Sequence, residues 1–296
     1  MQKKTPSDYI LPAAYGLCVF LFFWKYFPYH LHFQEQFQLF LFTGNYFFET
    51  CTHPGGFCNY AGRFLTQFFL FSFAGALIVS CLLTGIQQLV YAVAKRFGKH
   101  PAGLLLSFLP SLYYWYLLCD ENYQTGGVVA LLFTLIFTLT GTFLKSRSAR
   151  RIYLFVNIPV LYWLAGGTVI LSVVLLIWYE WRQCRDVAHR VSAGIAAICF
   201  ASSLPFIAKY LLVQYPLYRY WWGVDYVHFI AHSPFTVCYL WIMILLIVVG
   251  VSYLPNRKPV KNKREPKTQQ IQTRFKSLIS KSVVQLFLSS ASILSL

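Results

Sequence analysis

Residues 147–190 read RSARRIYLFVNIPVLYWLAGGTVILSVVLLIWYEWRQCRDVAHR, in which the apolar stretch 152–181 lies between two arginine-rich ends. A single helix through this stretch would place its two basic ends on opposite sides of a membrane. That arrangement conflicts with the rule that basic loops stay on the cytoplasmic side. The pair Gly166-Gly167 favours a break in the middle. The stretch therefore predicts a helical hairpin, made either of two short crossings or of a hairpin that does not fully cross.

The same alternation of apolar runs and short basic clusters continues on both sides of this hairpin. Counted as 152–165 and 167–181, its two halves join six other apolar runs to give about eight spans. The other predicted spans are 10–28, 64–94, 101–119, 126–144, 191–213 and 234–254. We therefore expect an all-α, polytopic transmembrane helix bundle of about eight spans. Residues 1–255 form its membrane domain.

Composition favours lipid as the main solvent of the chain. Hydrophobic residues make up 57% and charged residues only 11%, whereas soluble proteins carry roughly 25% charged residues. The 25 lysines and arginines exceed the 9 acidic residues, but they cluster beside apolar runs, as in cytoplasmic loops. We therefore predict a protein of the cell inner membrane with both termini cytoplasmic, with the lipid bilayer and not nucleic acid as its partner.

Residues 256–296 differ from the rest of the chain in composition. They begin with the polar, basic segment NRKPVKNKREPKTQQ and end in a Ser- and Leu-rich stretch that is shorter than a full span. Such a segment adheres to anionic lipid head groups and forms little stable structure. We expect a basic cytoplasmic tail that is truncated or disordered.

With this topology, most of the acidic residues fall on the outer face. Carboxylates near a membrane surface bind divalent cations or act as general acids and bases. The catalytic candidates are Glu35, Glu49, Asp120 and Glu121, and a divalent metal is the cofactor that they would hold. Acidic residues equally serve to solvate a loop. The sequence leaves both readings open.

The first outer loop, 30–63, predicts a helix lying in the membrane interface. Its apolar residues follow helical spacing, with glutamines opposite. These apolar residues are Phe33, Phe37, Phe40 and Leu41. The helix either seals the bundle or positions Glu35 or Glu49 over a lipid-borne substrate.

Downstream, the sequence His53-Pro54-Gly55-Gly56 favours a tight turn, and Cys51 and Cys58 are either a disulfide or two thiols.

The last outer loop carries Asp225, His228 and His232 at spacings that would share one face of a helix. Two histidines and one carboxylate can bind zinc or iron, which makes these three residues a candidate metal site. The many tyrosines and tryptophans around them are also typical of an interfacial belt, in which histidine is an ordinary member. Both interpretations remain open at this point.

Two resemblances add to this interpretation. The runs FQEQFQLFLFTGNYF (33–47) and PGGFCNYAGRFLTQFF (54–69), followed by several short helices, resemble an uncharacterised family of polytopic inner-membrane proteins of Bacteroidetes-type bacteria. The resemblance covers about 10–255. It implies no assigned activity. Members of that family continue into a further span and a larger C-terminal part, so the resemblance implies a truncated form.

The layout of loops is also similar to that of GT-C-type glycosyltransferases. In those enzymes acidic residues of the outer loops serve as metal ligand or base near a polyprenyl-phosphate sugar. By position in the layout, the first-loop acid would be Glu35 or Glu49, and the later pair Asp120 and Glu121. The D-x-D motif common among these enzymes is missing here. A polyprenyl-phosphate lipid is the partner that this resemblance implies.

Familiar catalytic motifs do not narrow the choice of function. The sequence contains no phosphate-binding loop, no H-E-x-x-H, no G-x-S-x-G and no dinucleotide fingerprint, so it names no cofactor. We predict a structural or envelope-assembly component of the membrane. The alternatives are a GT-C-like lipid-linked sugar or cell-envelope transferase that acts on the outer face, and a transporter. Fold-level likeness does not decide between them.

Overall fold

The computed structural model describes residues 7–183, 187–212, 215–228 and 235–254. The predicted tail, 256–296, and His232 lie outside these residues. Within the described ranges every regular element is helical, and extended pairing is limited to one isolated bridge between Tyr123 and Val227. The predicted all-α class is confirmed for this part of the chain.

The helices follow one another with short connections. The first is extended by a π-helical turn, Phe22–Tyr26, and two 3₁₀ turns, Gln67–Leu70 and Gly166–Thr168, join later helices. In chain order the α-helices are α1 (Ser7–Leu21), α2 (Pro28–Gln36), α3 (Gly44–Cys51), α4 (Gly56–Thr66), α5 (Ser72–Phe97), α6 (Ala102–Leu106), α7 (Phe108–Leu118), α8 (Thr125–Phe143), α9 (Arg147–Ala165), α10 (Val169–Gln183), α11 (Val187–Leu212), α12 (Leu217–Trp222) and α13 (Phe235–Tyr253).

Six helical segments of the described residues are long and apolar enough to cross a membrane. They are Asp8–Tyr26, Ser72–Phe97, Thr125–Phe143, Arg147–Gln183, Val191–Leu212 and Phe235–Tyr253. The apolar segment Ala102–Leu118 is shorter than the others. The chain thus has the architecture of a polytopic membrane protein, but the predicted count of about eight spans is not confirmed.

Contacts between helix ends divide the bundle into two faces. At one face, the Tyr91 hydroxyl near the end of α5 donates to Asp8 near the start of α1 (3.4 Å). The Arg182 guanidinium at the end of α10 donates to the carbonyl of Ser252 at the end of α13. We call this the basic face, because the arginines 96, 150 and 182 lie there. The opposite loop face is formed by residues 27–71, 119–124 and 215–228. The start of α1 and the end of α13 therefore share the basic face.

The stretch 152–181 forms the predicted helical hairpin. Arg150 Nε near the start of α9 donates to Glu180 Oε2 near the end of α10 (2.6 Å), and Asn157 Nδ2 donates to Ser172 Oγ (3.3 Å). These pairs make α9 and α10 antiparallel. The chain reverses at Gly166, whose φ of 64° lies in the region that favours glycine.

The hairpin ends inside the bundle. Near its tip, the Thr134 hydroxyl of α8 donates to Thr168 Oγ1 (2.7 Å). Thr134 is nine residues past Thr125, the first residue of α8, which corresponds to about 14 Å along a helix. The tip therefore lies about 14 Å from the loop-face end of α8.

The tip of the hairpin packs closely against backbone of the loop face, and glycines lie at each point of contact. The Gly55 N–H donates to the Trp163 carbonyl of α9 (2.9 Å). A Cβ on Gly55 would lie 2.6 Å from the Gly223 carbonyl carbon, and one on Gly166 would lie 2.5 Å from the Trp222 carbonyl oxygen. All three have positive φ. We call Gly55, Gly166 and Gly223 the glycine junction. The turn predicted at His53–Gly56 is confirmed, and it approaches other backbone segments.

Two sequence predictions about element boundaries are wrong. The predicted span 64–94 is interrupted, because Phe71 is extended and α5 begins only at Ser72. The interruption lets Phe69 fold back and become fully buried against Gly75 of α5. The predicted interfacial helix is also shorter than expected, since α2 ends at Gln36.

Candidate functional site

The loop face contains a pocket of about 360 Å³ between α2 and two loops. Its walls combine aromatic rings, side-chain amides and two of the residues predicted to act in a site, Glu121 and His228. The lining residues are Phe33, Gln34, Phe37, Gln38, Glu121, Asn122, Tyr123, Gln124 and His228. We call this the loop-face pocket.

Backbone hydrogen bonds hold the walls of the loop-face pocket together. The segments 122–124 and 226–228 pair through the isolated bridge between Tyr123 and Val227: Gln124 N–H donates to the Tyr226 carbonyl (2.9 Å), and His228 N–H donates to the Asn122 carbonyl (2.8 Å). The buried Gln34 of α2 donates from Nε2 to the Tyr123 carbonyl (2.9 Å). The pocket is therefore a fixed feature of three chain segments that are distant in sequence.

The chemistry of the loop-face pocket suits a ligand with both polar and apolar parts. Glu121 supplies an acceptor and is exposed, while His228, also exposed, can accept or donate. The ring of Phe37 lies 5.2 Å from the imidazole of His228 in an edge-on arrangement. The side-chain amides around them offer further donors and acceptors. Such a mixture is typical of binding sites that orient a ligand through a few polar groups.

His30 of α2 lies behind this pocket and is buried. Burial lowers the pKa of His30, and its hydrogen bond to the Leu118 backbone and the nearby carboxylates of Glu121 and Asp120 oppose that shift. Its Nε2 is buried without a hydrogen-bond partner. A neutral imidazole is the form that such surroundings favour. No role for His30 was predicted from the sequence, because its position next to the acidic pair depends on α2 packing beside residues 118–121.

Asp225 lies between two arginines, outside the loop-face pocket. Its carboxylate is 3.5 Å from Arg63 Nη2 and 3.7 Å from Arg219 Nη1. Asn59 of α4, 2% exposed, brackets the same residue: its Nδ2 donates to Asp225 Oδ2 (3.3 Å), and the Asp225 N–H donates to Asn59 Oδ1 (3.0 Å). Arg63 also donates to the Tyr46 hydroxyl (3.0 Å). We call these residues the Asp225 network.

The other predicted site residues are spread over the loop face. Asp120 accepts hydrogen bonds from the backbone and side-chain nitrogens of Asn122 (3.0 and 2.9 Å). Glu49 is exposed on α3, and Glu35 is half-buried on α2. Among the residues that the structure describes, no three His, Cys, Asp or Glu side chains are grouped so that they could hold a metal ion. The metal site of Asp225, His228 and His232 stays a prediction, since His232 lies outside the described residues.

Cys51 and Cys58 are free thiols in this structure. Burial raises the pKa of the Cys58 thiol to about 12 and, to a smaller extent, that of Cys51. A thiol with a raised pKa is a weak nucleophile because little of it is ionised. Cys58 therefore acts as a small apolar residue of the loop face.

Arg63 and Asn59 are the functional-looking residues that sequence reasoning did not single out. A sequence signal existed for Arg63, because it is one of the few cations among the outer-face acids. Asn59 carried no such signal, since its partner Asp225 is 166 positions away.

Comparison with known proteins places the chain in a family. The model of a family of unknown function, DUF6057, matches residues 3–287. The chain belongs to the DUF6057 family. The match takes in every residue of the loop-face pocket and the Asp225 network, and it extends past the expected limits of 10–255 into the tail. DUF6057 has no assigned activity. No curated protein and no solved structure matches the chain.

Proposed function

We propose that this DUF6057 protein is a multi-pass component of the cell inner membrane that binds an envelope molecule in its loop-face pocket. Its role would be structural or in envelope assembly. The observation that carries the proposal is the loop-face pocket itself, whose walls are fixed by backbone hydrogen bonds between segments far apart in sequence. A preorganised pocket binds without paying for the ordering of its loops.

The orientation follows from charge. Both ends of the described bundle lie at the basic face, where Arg96, Arg150 and Arg182 are found. Basic segments remain on the cytoplasmic side during insertion. We therefore propose cytoplasmic termini, with the loop-face pocket open to the opposite side of the membrane.

The separate contacts of the acidic residues favour a binding protein over an enzyme. Asp120 organises its own loop through Asn122, and Asp225 is held by two arginines and Asn59. Glu49 stands on the exposed side of α3. The carboxylates of Asp120 and Asp225 thus hold different local structures, whereas an acid and a base of one reaction must both reach one substrate.

A GT-C-like transferase remains the second candidate, on one specific observation. Glu121 and His228 line the same pocket, and a carboxylate with a histidine can supply an acid and a base. A polyprenyl-phosphate sugar would then occupy the loop-face pocket. Fold-level analogy alone would not justify this candidate.

One pair of variants separates the two candidates. Gln38→Trp would fill the loop-face pocket, whereas Glu121→Gln removes a charge and keeps the volume. The readouts are membrane abundance and photo-crosslinking of envelope material from a benzoylphenylalanine at position 37. If the protein binds without catalysis, Q38W abolishes crosslinking and E121Q retains most of it.

Glu49→Gln, which alters an exposed acid outside the pocket, is the matched control. A transferase predicts that E121Q retains crosslinking but abolishes an envelope-glycan product at normal abundance. Equal crosslinking by Q38W, E49Q and the parent protein would contradict both candidates.

A further inference from the structure

A second cavity lies on the other side of the molecule, between the helical hairpin and α11. It has about 490 Å³ of space and opens partly to the surroundings. Gly141 of α8 and the two arms of the hairpin form one wall, and Ala193 and Gly194 of α11 form the other. We call it the hairpin cleft. It is independent of the loop-face pocket and of the function proposed for it.

The interior of the hairpin cleft is apolar. Leu154, Leu176 and Ile177 line it from the hairpin, and the small residues Ala193 and Gly194 leave room along α11. The cleft is partly open, so an acyl chain can lie against this apolar lining. Because α10 and α11 belong to segments apolar enough to span a membrane, the substance available to fill the cleft is lipid.

The end of the hairpin cleft at the basic face is cationic. Arg150 is fully engaged, since it donates to Glu180 (2.6 Å) and to the carbonyls of Leu144 (3.1 Å) and Lys145 (3.0 Å). Arg151 is different. Its Nε is buried without a hydrogen-bond partner, and none of the ion pairs among the described residues involves it. Among the described residues, the Arg151 guanidinium at the edge of the cleft therefore has no carboxylate partner, because Glu180, which also lines the cleft, is paired with Arg150.

An arginine without a carboxylate partner at the edge of an apolar cleft favours a ligand that has both an anionic group and an apolar part. An arginine recognises phosphate through paired N–H donors, and basic pockets between membrane helices bind anionic head groups. Trp181, 43% exposed, and Tyr153 line the cleft with aromatic side chains suited to the head-group level. We propose that the hairpin cleft binds one anionic phospholipid, with its phosphate on Arg151 and an acyl chain against Ala193 and Gly194.

The test uses the full chain in nanodiscs of dioleoylphosphatidylcholine and dioleoylphosphatidylglycerol at a ratio of about nine to one, a composition that provides both zwitterionic and anionic lipid. Native mass spectrometry then counts the lipids retained on the released protein. We expect phosphatidylglycerol to be enriched on the parent protein relative to the membrane. Arg151→Met should reduce that enrichment about fivefold, the effect of losing one favourable charge near the head groups.

Arg147→Met is the matched control, because Arg147 lies one turn earlier on α9, is exposed and does not line the cleft. It should retain phosphatidylglycerol like the parent. Ala193→Leu narrows the cleft and leaves Arg151 in place, so it should lose the bound lipid even if R151M proves unstable. The proposal is overturned if the parent shows no enrichment, if R147M and R151M lose it equally, or if A193L retains it.

Discussion

Asn59 is the residue on which the Asp225 network depends. It is buried, and its amide group uses both its donor and its acceptor on Asp225. Removing one partner leaves the remaining buried groups unsatisfied, which costs about 1–3 kcal/mol. Removing only the charge of Asp225 costs less, because its arginine partners are about a third exposed and such ion pairs contribute about 0–1 kcal/mol.

We therefore expect Asn59→Ala to lower the thermal unfolding midpoint in detergent by several degrees, and more than Asp225→Asn does. Asn45→Ala is the control, because Asn45 is exposed on α3. If N59A and N45A had the same midpoint, the two hydrogen bonds between Asn59 and Asp225 would contribute nothing to stability.

His30 gives the stability of the loop face a pH dependence. Burial lowers the pKa of His30 in the folded protein, whereas an unfolded histidine titrates near about 6.5. As the pH falls below that value, the unfolded state takes up a proton that the folded state resists, so stability decreases.

The expected result is a thermal midpoint that drops between about pH 7.5 and pH 5.5, on either side of the ordinary histidine pKa, and drops less in His30→Gln. Gln36→Ala, at an exposed and non-titratable position of the same helix, should keep the pH dependence of the parent. An unchanged pH slope in H30Q would show that another group is responsible.

For single residues, the sequence predicted the face on which they lie better than the residues that they contact. Charge patterning indicated that most of the acidic residues share one face, and the structure places Glu49, Asp120 and Asp225 at separate points of the loop face. Patterning could not reveal that Asp225 pairs with Arg63 and Asn59. Those contacts depend on the packing of α4 beside a loop more than 160 positions later.

Among the elements, the helical hairpin was the most predictable. Arginine clusters at both ends require an even number of passes, and the glycine pair marks the reversal. Boundaries that depend on tertiary packing were not predictable. The break before α5 exists because Phe69 becomes buried against Gly75, and the early end of α2 leaves Phe40 outside the helix; neither can be read from periodicity.

The glycine junction should be intolerant of even one methyl group. A Cβ at Gly166 would combine a positive φ with a 2.5 Å approach to a carbonyl oxygen, and backbone strain of this kind costs about 1–3 kcal/mol before the clash is counted. We expect Gly166→Ala to lower the thermal midpoint markedly.

Gly250→Ala provides the matched control. Gly250 lies within α13, and a Cβ there would meet nothing within 4 Å. Alanine is favoured over glycine in a helix by up to about 1 kcal/mol, so this variant should be neutral or stabilised. Equal midpoints for G166A and G250A would mean that the hairpin tip is free to relax.

At the scale of the whole bundle, most of the described arginines lie at the basic face and most of the described acidic residues lie at the loop face. Labelling with a membrane-impermeant maleimide, using single cysteines in a Cys-depleted background, tests this separation. We expect Glu49→Cys and Asp120→Cys to react in intact spheroplasts, because both positions are exposed at the loop face. Arg147→Cys, exposed near the basic face, should react only after permeabilisation. Labelling of E49C without D120C would place the two loops in different compartments.

The glycine junction can form only late in the synthesis of the chain. Its three backbone segments come from residues near 55, 166 and 223, so the ribosome supplies the last of them only after the hairpin has been made. Until then the backbone of Trp222 and Gly223, which packs against Gly166, is not yet made, and the tip lacks part of its cover. Nascent chains halted before residue 215 should therefore be degraded faster than the full chain, because residues 215–228 complete the packing around the hairpin tip.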